Sequence, residues 1–314
     1  MKIAVIDIGS HSSRLLISDY YDDRLVNKEK IVRHTKLGSK SYLKNVISEE
    51  KIHITAQIIE EFVNIAKNKN VDKIFIFATS AVRNAENKKD FVDIIYQKTK
   101  IKLEIISGDE EAQLSYIGVL KGTNLNNISA EQLMVIDLGG GSLEIILGDL
   151  FGNILKKYSF DIGVIRFSDK FRLNVLDNDL KFRIEELKLE VKKGLDKEFF
   201  DYKENFKNVK IMPFSVSGSI SALIMTDLKI EKFESKKIIN HKLYKKNIEK
   251  ILNEICYLPL DEKTKIKGVG DRAEVIVASA LIILEIMQYF NIDFLQASES
   301  DNLEGFFYAK NKNN

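Results

Sequence analysis

The chain has 314 residues, 45% of them hydrophobic and 30% charged, enough apolar material for two domain cores and too much for a disordered chain. Its 48 basic and 46 acidic residues leave a net charge of only +2; this argues against a general nucleic-acid binder, so an anionic ligand has to be held by a local cluster. A single cysteine, Cys256, excludes an intrachain disulfide and a cysteine-built zinc site.

In chain order, the opening Met1-Lys2-Ile3-Ala4-Val5-Ile6-Asp7 meets an acidic residue after four apolar ones, too short for a signal-peptide core. No apolar run approaches about 20 residues, so a cytoplasmic protein without a membrane span is expected. Residues 2–7 and 14–18 read as strands around a tight polar turn, and 28–33 as a third strand. Ser48 is a helix cap for a segment reaching Asn68, with Ile52, Ile58, Ile59, Phe62, Val63 and Ala66 near helical spacing. A buried strand at 73–78, a helix at 87–99, a strand at 103–106 and a helix at 109–120 follow. The polar, turn-rich stretch 121–127 is the candidate linker and hinge. Beyond it come strands at 132–136, 143–149, 153–159 and 210–216 and helices at about 178–200, 241–256 and 271–289. A strand at 294–298 and a short terminal helix close the chain. Mixed strands and helices point to α/β domains.

The strongest signal is internal. Ala4-Val5-Ile6-Asp7-Ile8-Gly9-Ser10-His11-Ser12 and Val135-Ile136-Asp137-Leu138-Gly139-Gly140-Gly141-Ser142 share one plan: an apolar strand ending in Asp, then Gly, then Ser five residues after the Asp, then another apolar strand. Repetition at the start of each half suggests duplication of a whole unit. Glycine permits positive φ and close backbone approach to a ligand, and successive amides in such a turn form an anion-binding concavity. The Asp at the strand end, Asp7 or Asp137, supplies oxygens suited to a hydrated magnesium ion that bridges to phosphate. No Gly-x-x-x-x-Gly-Lys-Ser/Thr run occurs, which excludes a P-loop.

Other residues carry weaker signals. Asp109, Glu110 and Glu111 open a helix; one of them can be a general base for water, or all three can simply complement the helix dipole. Arg83 follows a buried strand and can grip phosphate or form a surface ion pair. Glu144 points the same way as Ser142 by strand alternation, which favours a place beside the metal over a solvated face. Ser217-Gly218-Ser219 ends a strand and opens a helix, making a third candidate phosphate turn. Asp271 reads as a helix cap, with Arg272 beside it. Of the four histidines only His11 lies in a motif; with an ordinary pKa of about 6.5 it can gain charge near phosphate.

The segments Asp7–Arg14, Ala78–Arg83, Ile106–Ala112, Ile136–Glu144, Ile162–Arg166 and Asp271–Glu274 together resemble the exopolyphosphatase and guanosine pentaphosphate phosphatase family over nearly the entire chain. The resemblance implies an α/β fold of two actin-like (ribonuclease H-like) domains with an interdomain cleft. The first would cover 1–122, with a terminal helix at 301–314 packing back on it, and the second 123–300. It implies Glu111 as the base that activates water, and Asp137 and Glu144 holding or approaching Mg2+. Arg83, Gly9, Ser10, His11, Ser12, Gly139, Gly140, Gly141, Ser142, Gly218 and Ser219 would bind phosphates. The implied activity is Mg2+-assisted hydrolysis of terminal phosphate from inorganic polyphosphate or guanosine pentaphosphate, the latter tied to the stringent response. The rivals are an actin-like kinase or ATPase and a catalytically impaired regulator that binds an alarmone nucleotide. Monomer and homodimer both remain open. Three departures touch substrate choice: His11 where Asn is usual, Ser217–Ser221 in place of a turn richer in Gly and Thr, and Leu303 where Arg is typical.

Overall fold

The computed structural model describes residues 1–38, 45–123, 130–205, 209–239 and 241–311. The expected linker at 121–127 lies outside the described residues from 124 onward, as do residues 312–314 of the expected terminal helix. The chain forms two compact units: Met1–Lys121 together with Ser300–Asn314, and Gly122–Glu299.

The first unit is a five-stranded sheet in the order β3-β2-β1-β4-β5. Its strands are β1 (Lys2–Ile8), β2 (Ser12–Tyr21), β3 (Arg24–His34), β4 (Lys73–Ala78) and β5 (Leu103–Ile105). Its helices are α1 (Glu49–Asn68), α2 (Ser80–Arg83), α3 (Lys88–Thr99) and α4 (Gly108–Gly122). The alternation along β1 divides two apolar layers. Ala4, Ile6 and Ile8 join Ile52, Ala56, Ile59, Phe62 and Val63 of α1 and Phe91 and Ile95 of α3 in one cluster. Ile3 and Val5 face the other way, into a cluster closed by Leu303, Phe306 and Phe307 of the terminal helix. Ser48 caps α1 by accepting from the Lys51 amide at 3.4 Å, as its position in the sequence suggests. Leu303, the apolar residue at a position where the resemblance has Arg, is fully buried in the second cluster.

The second unit is a six-stranded sheet ordered β10-β11-β9-β6-β7-β8. It comprises β6 (Gln132–Leu138), β7 (Leu143–Asp149), β8 (Ile154–Phe160), α5 (Val164–Lys170), α6 (Leu180–Asn205), β9 (Ile211–Ser215), α7 (Gly218–Leu228) and α8 (Ser235–Ile239). Next come β10 (Lys242–Tyr244), α9 (Lys245–Ile255), α10 (Leu260–Lys263), α11 (Ile276–Tyr289) and β11 (Phe294–Ala297). The chain ends on α12 (Asn302–Asn311), which belongs to the first unit. Without β10, the sheet repeats the topology of the first unit, a three-stranded meander followed by two parallel strands. The duplication read from the hairpins thus extends through both sheets.

Two boundaries differ from the sequence reading. The helix expected over 241–256 begins at Lys245, because Lys242–Tyr244 pairs antiparallel with β11, burying Leu243 against Leu295. The helix expected from Asp271 begins at Ile276, with Asp271 in a single 3-10 turn, Gly270–Arg272. Gly268 (φ +89°) and Gly270 (φ +46°) take left-handed conformations there, and a β carbon on Gly268 would fall 2.3 Å from the Thr226 amide nitrogen of α7. The tight loop exists to let two backbones touch, and it delays the helix.

Candidate functional site

The two repeated hairpins are built alike. In each, the amide of the first glycine bonds the carbonyl of the serine three residues on, Gly9 to Ser12 at 3.1 Å and Gly139 to Ser142 at 2.9 Å. Neither Gly9 nor any of Gly139, Gly140 and Gly141 has positive φ, contrary to the expectation for such turns. Crowding favours glycine instead: a β carbon would stand 2.9 Å from the Ser12 carbonyl oxygen at Gly9, where something must shift, and 3.3 Å from that of Ser142 at Gly139, where the turn need give only slightly. Each turn is braced through its carbonyls. Lys36 and Gly38 donate to His11 and Ser10 at 2.9 and 2.8 Å. Val164 donates to Gly139 at 3.0 Å, and Ile165 and Arg166 to Gly140 at 2.9 and 3.1 Å. The side chain of Arg166 adds a bond to the Gly141 carbonyl at 3.1 Å. Gly163 makes this approach possible, since a β carbon there would lie 2.4 Å from both Gly140 O and Gly141 N. His11 is buried, and its Nδ1 lies 3.3 Å from His34 Nδ1 at the end of β3, a contact in which one ring donates and the other accepts.

The hairpins differ in what faces the aspartate. Register places Asp7 opposite Arg14, but Asp137 opposite Glu144. Arg14 holds Asp7 Oδ2 through Nε at 3.0 Å and Nη2 at 2.5 Å. It reaches on to Asp301 Oδ2 and Asn302 Oδ1, both at 2.7 Å. Asp301 and Glu304 cap α12 reciprocally, Asp301 Oδ1 accepting from Leu303 and Glu304 Oε2 accepting from Asp301, each at 2.9 Å. Lys30 joins Glu304 at 2.9 Å. Burial works against the charged form of both aspartates. At Asp301 it is outweighed by Arg14 and Lys30, so the pKa is lowered; at Asp7, with Arg14 as its main cation, burial prevails and the pKa is raised. Asp7, expected beside a metal, is held here by Arg14.

In the second unit, directly opposed residues on antiparallel strands project from the same face with β carbons about 4.5–5.5 Å apart. Asp137 and Glu144 are such a pair, and the next residue in the row, Ser159 of β8, donates its hydroxyl to Glu144 Oε1 at 2.7 Å. Glu144 is buried and Asp137 half-buried. Two carboxylates so placed repel unless a proton or cation lies between them. All-oxygen donors suit a hard divalent ion that keeps several waters and takes the rest of its shell from phosphate. Among the described residues there is no group of three or more His, Cys, Asp or Glu that could hold a metal ion.

Of the three acidic residues opening α4, the structure separates one. Glu110 forms a capping box with Ser107, accepting from its amide at 2.8 Å and its hydroxyl at 2.9 Å, while Ser107 Oγ accepts from the Glu110 amide at 3.1 Å. Asp109 is exposed, and only Glu111 turns inward, 6% exposed. Arg83 Nη1 donates to Glu111 Oε2 at 2.9 Å and to the Ile106 carbonyl at 3.0 Å. The ion pair read as one option for Arg83 is thus present, mostly buried, and made with the candidate base. In the second unit, Ser217 caps α7 by accepting from the Ile220 amide at 3.2 Å. Ser219 Oγ is buried without a protein hydrogen-bond partner. Arg272 lies against this turn: a β carbon on Gly218 would be 2.4 Å from Arg272 Nη2.

Sequence reasoning assigned no role to Arg14, Ser159 or Gly163. Arg14 was nevertheless findable, because it stands seven residues after Asp7 as Glu144 does after Asp137.

Twin sheets of one topology, each opening on an Asp-containing glycine hairpin, define the class of actin-like two-domain proteins that handle phosphate groups. The chain belongs to the Ppx/GppA phosphatase family, whose profile matches residues 24–314. It is 34% identical over 310 residues, 96% of this chain and 45% of the other, to a bifunctional 3-dehydroquinate synthase/phosphatase of Fusobacterium nucleatum. It is 29% identical over 149 residues, 47% of this chain and 42% of the other, to exopolyphosphatase 1 of Mycobacterium bovis. The chain spans less than half the length of these curated relatives. Among solved structures, the Aquifex aeolicus Ppx/GppA family member has a TM-score of 0.80 at 25% identity, covering 100% of this chain and 98% of that one. An exopolyphosphatase from Cytophaga hutchinsonii has a TM-score of 0.84 at 24% identity with the same coverage, a likeness of fold. No described helix is long and apolar enough to cross a membrane.

Proposed function

We propose that this chain releases the terminal phosphate of inorganic polyphosphate by attack of water, with a divalent cation, Mg2+, held at Asp137 and Glu144. The observation that carries the reading is the contrast between the hairpins: one aspartate is neutralised by Arg14, the other is doubled by Glu144 beside a glycine turn. When bound, the cation offsets charge on the phosphate oxygens. Ser159 fixes the Glu144 carboxylate through Oε1. The second unit also supplies the turns Gly139–Ser142 and Gly218–Ser219, whose amides and hydroxyls suit phosphate oxygens. Within the first unit, the turn Gly9–Ser12 offers amides and hydroxyls of the same kind, and Arg83 pairs with Glu111. Arg83 holds Oε2 of Glu111, and Oε1 is assigned the proton of the attacking water. The new P–O bond forms as the bridging P–O bond breaks; orthophosphate leaves, and the shortened chain departs with the negative charge. Positioning and electrostatics supply most of the acceleration. The exopolyphosphatase name of the Mycobacterium bovis relative supports polyphosphate over guanosine pentaphosphate as the reading.

Phosphate release is measured from polyphosphate and from guanosine pentaphosphate, with Mg2+ varied and no acceptor present. Release from polyphosphate is expected, and Asp137→Asn should recover part of its loss at high Mg2+. Transfer only to an acceptor would assign a kinase; tight binding of guanosine pentaphosphate without turnover would assign a regulator.

A further inference from the structure

Helices α4 and α12, which both line the second apolar cluster of the first unit, meet backbone to backbone. A β carbon on Gly118 of α4 would lie 1.9 Å from the Asp301 carbonyl oxygen, and one on Gly305 of α12 would lie 1.8 Å from the Leu114 carbonyl oxygen. The contact is reciprocal. Leu114 and Gly118 on one side, and Asp301 and Gly305 on the other, each present a carbonyl and, four residues later, a glycine, and each carbonyl sits against the opposite glycine. Only residues without a β carbon let two backbones come this near. Alanine is the better helix former, so neither helix needs glycine for its own sake.

The clasp joins two parts of the first unit's candidate machinery. Helix α12 is fixed to the sheet on its other sides. Arg14, which holds Asp7 at the start of the hairpin turn, donates to Asp301 Oδ2 and Asn302 Oδ1, both at 2.7 Å. Lys30 of β3 pairs with Glu304 at 2.9 Å, Phe306 stacks on Phe77 of β4 at 4.6 Å, and the Tyr308 hydroxyl accepts from the Leu25 amide at 3.0 Å. Helix α4 carries Glu111 one turn before Leu114. A continuous path of bonds and backbone contacts thus runs from the turn through Asp7, Arg14, Asp301 and Gly118 to the helix of Glu111. We propose that Gly118 and Gly305 are positioning residues: their clasp sets where the Glu111 carboxylate stands relative to the phosphate turn Gly9–Ser12. The proposal rests on the reading of Glu111 as the base. With α12 held to three strands, a β carbon in the clasp drives α4, and Glu111 with it, by more than about 1 Å, and a misplacement of that order can cost about a hundredfold in rate.

The test is a double-mutant cycle on the full chain, read as kcat and KM for phosphate release from polyphosphate, with melting curves alongside. Gly305→Ala and Gly118→Ala should each lower kcat about a hundredfold and leave KM within about twofold. In a Glu111→Gln background the same substitutions should change kcat by less than about threefold, because the group they misplace no longer takes the proton. A clasp that only holds the fold together would lower the rate by the same factor in both backgrounds. Asp301→Asn adds no atom to the clasp and keeps an oxygen to cap α12, but it loosens one bond from Arg14. It should lower kcat severalfold in the natural background and not in the Glu111→Gln one, and it decides the matter if the glycine variants do not fold. Equal falls in both backgrounds, or an unchanged kcat in the natural one, would overturn the proposal alone. Near-normal turnover of Glu111→Gln by itself would remove the base, and the role of the clasp with it.

Discussion

Replacing Glu111 with Gln separates a chemical role from a structural one. The carboxylate is 6% exposed and accepts from Arg83 Nη1 at 2.9 Å, and that nitrogen also bonds the Ile106 carbonyl at 3.0 Å. Glutamine has the same reach, and its carbonyl oxygen can take over the bond from Arg83. What is lost is the difference between a charged and a neutral acceptor, about 1–2 kcal/mol. A loss of that size lowers the melting temperature by about 2–8 °C and leaves the chain folded at 25 °C. An amide cannot take a proton from water, so turnover should fall by about 10²–10⁴. Binding should persist or tighten, because one negative charge facing a polyanion has gone. The assay pairs initial rates of phosphate release with thermal melting and direct binding of polyphosphate. If turnover stays near wild type while the melting point falls, Glu111 serves only to hold Arg83. The base must then be sought elsewhere, and Glu144 is next.

Two further substitutions test packing claims. Gly163→Ala should cut phosphate release by at least about tenfold, since its β carbon would lie 2.4 Å from backbone atoms of Gly140 and Gly141 and must displace the turn; Gly194→Ala, whose nearest contact would be an ordinary 3.4 Å to a side-chain methyl of Ile162, should leave the rate unchanged. Lys263 is fully buried, with a 3.5 Å hydrogen bond to Asn174, and burial pushes its pKa below the ordinary 10.5. Its contribution to stability is therefore complete only above that value and is lost as pH falls through the lowered one. Lys263→Met should be neutral or stabilising at pH 7 by about 1–4 kcal/mol. Between the lowered pKa and 10.5 the wild-type curve should climb relative to the variant, compared in a Cys256→Ser background because the Cys256 thiol, raised by burial, is itself pulled down by the Lys263 charge. Denaturant melts across pH check this; parallel curves would contradict it.

Features with a local cause were legible in the sequence. Helix α1 was read from Ser48 and an apolar period that the core uses, and β4 from its apolar run. The two hairpins were read because one spacing occurs twice. What escaped depends on register between distant segments. Ser159 reaches Glu144 only through the β7–β8 pairing, which carries an irregularity between Leu147 and Gly148 that no alternation rule anticipates. Strand β10 has three residues, too few to display a period, and it exists because β11 offers an edge. Asp7 and Asp137 look alike in sequence because strand, Gly and Ser match; the residue across the sheet, Arg14 in one hairpin and Glu144 in the other, is what sets them apart.

The closing helix of the first unit has a consequence for synthesis on the ribosome. Ile3, Val5, Leu16 and Phe77 emerge early, yet the side chains that cover them, Leu303, Phe306 and Phe307, are made after the whole second unit. At about 5–20 residues per second, translating Gly122–Glu299 takes on the order of 10–40 s. During that interval the second unit, continuous in sequence, has all of its strands available as it leaves the exit tunnel. The first meanwhile waits with one sheet face uncovered, and Arg14 has Asp7 but not yet Asp301 or Asn302. Within residues 1–314, the first unit thus keeps an apolar sheet face open to chaperones and to aggregation until residues 303–307 have been made.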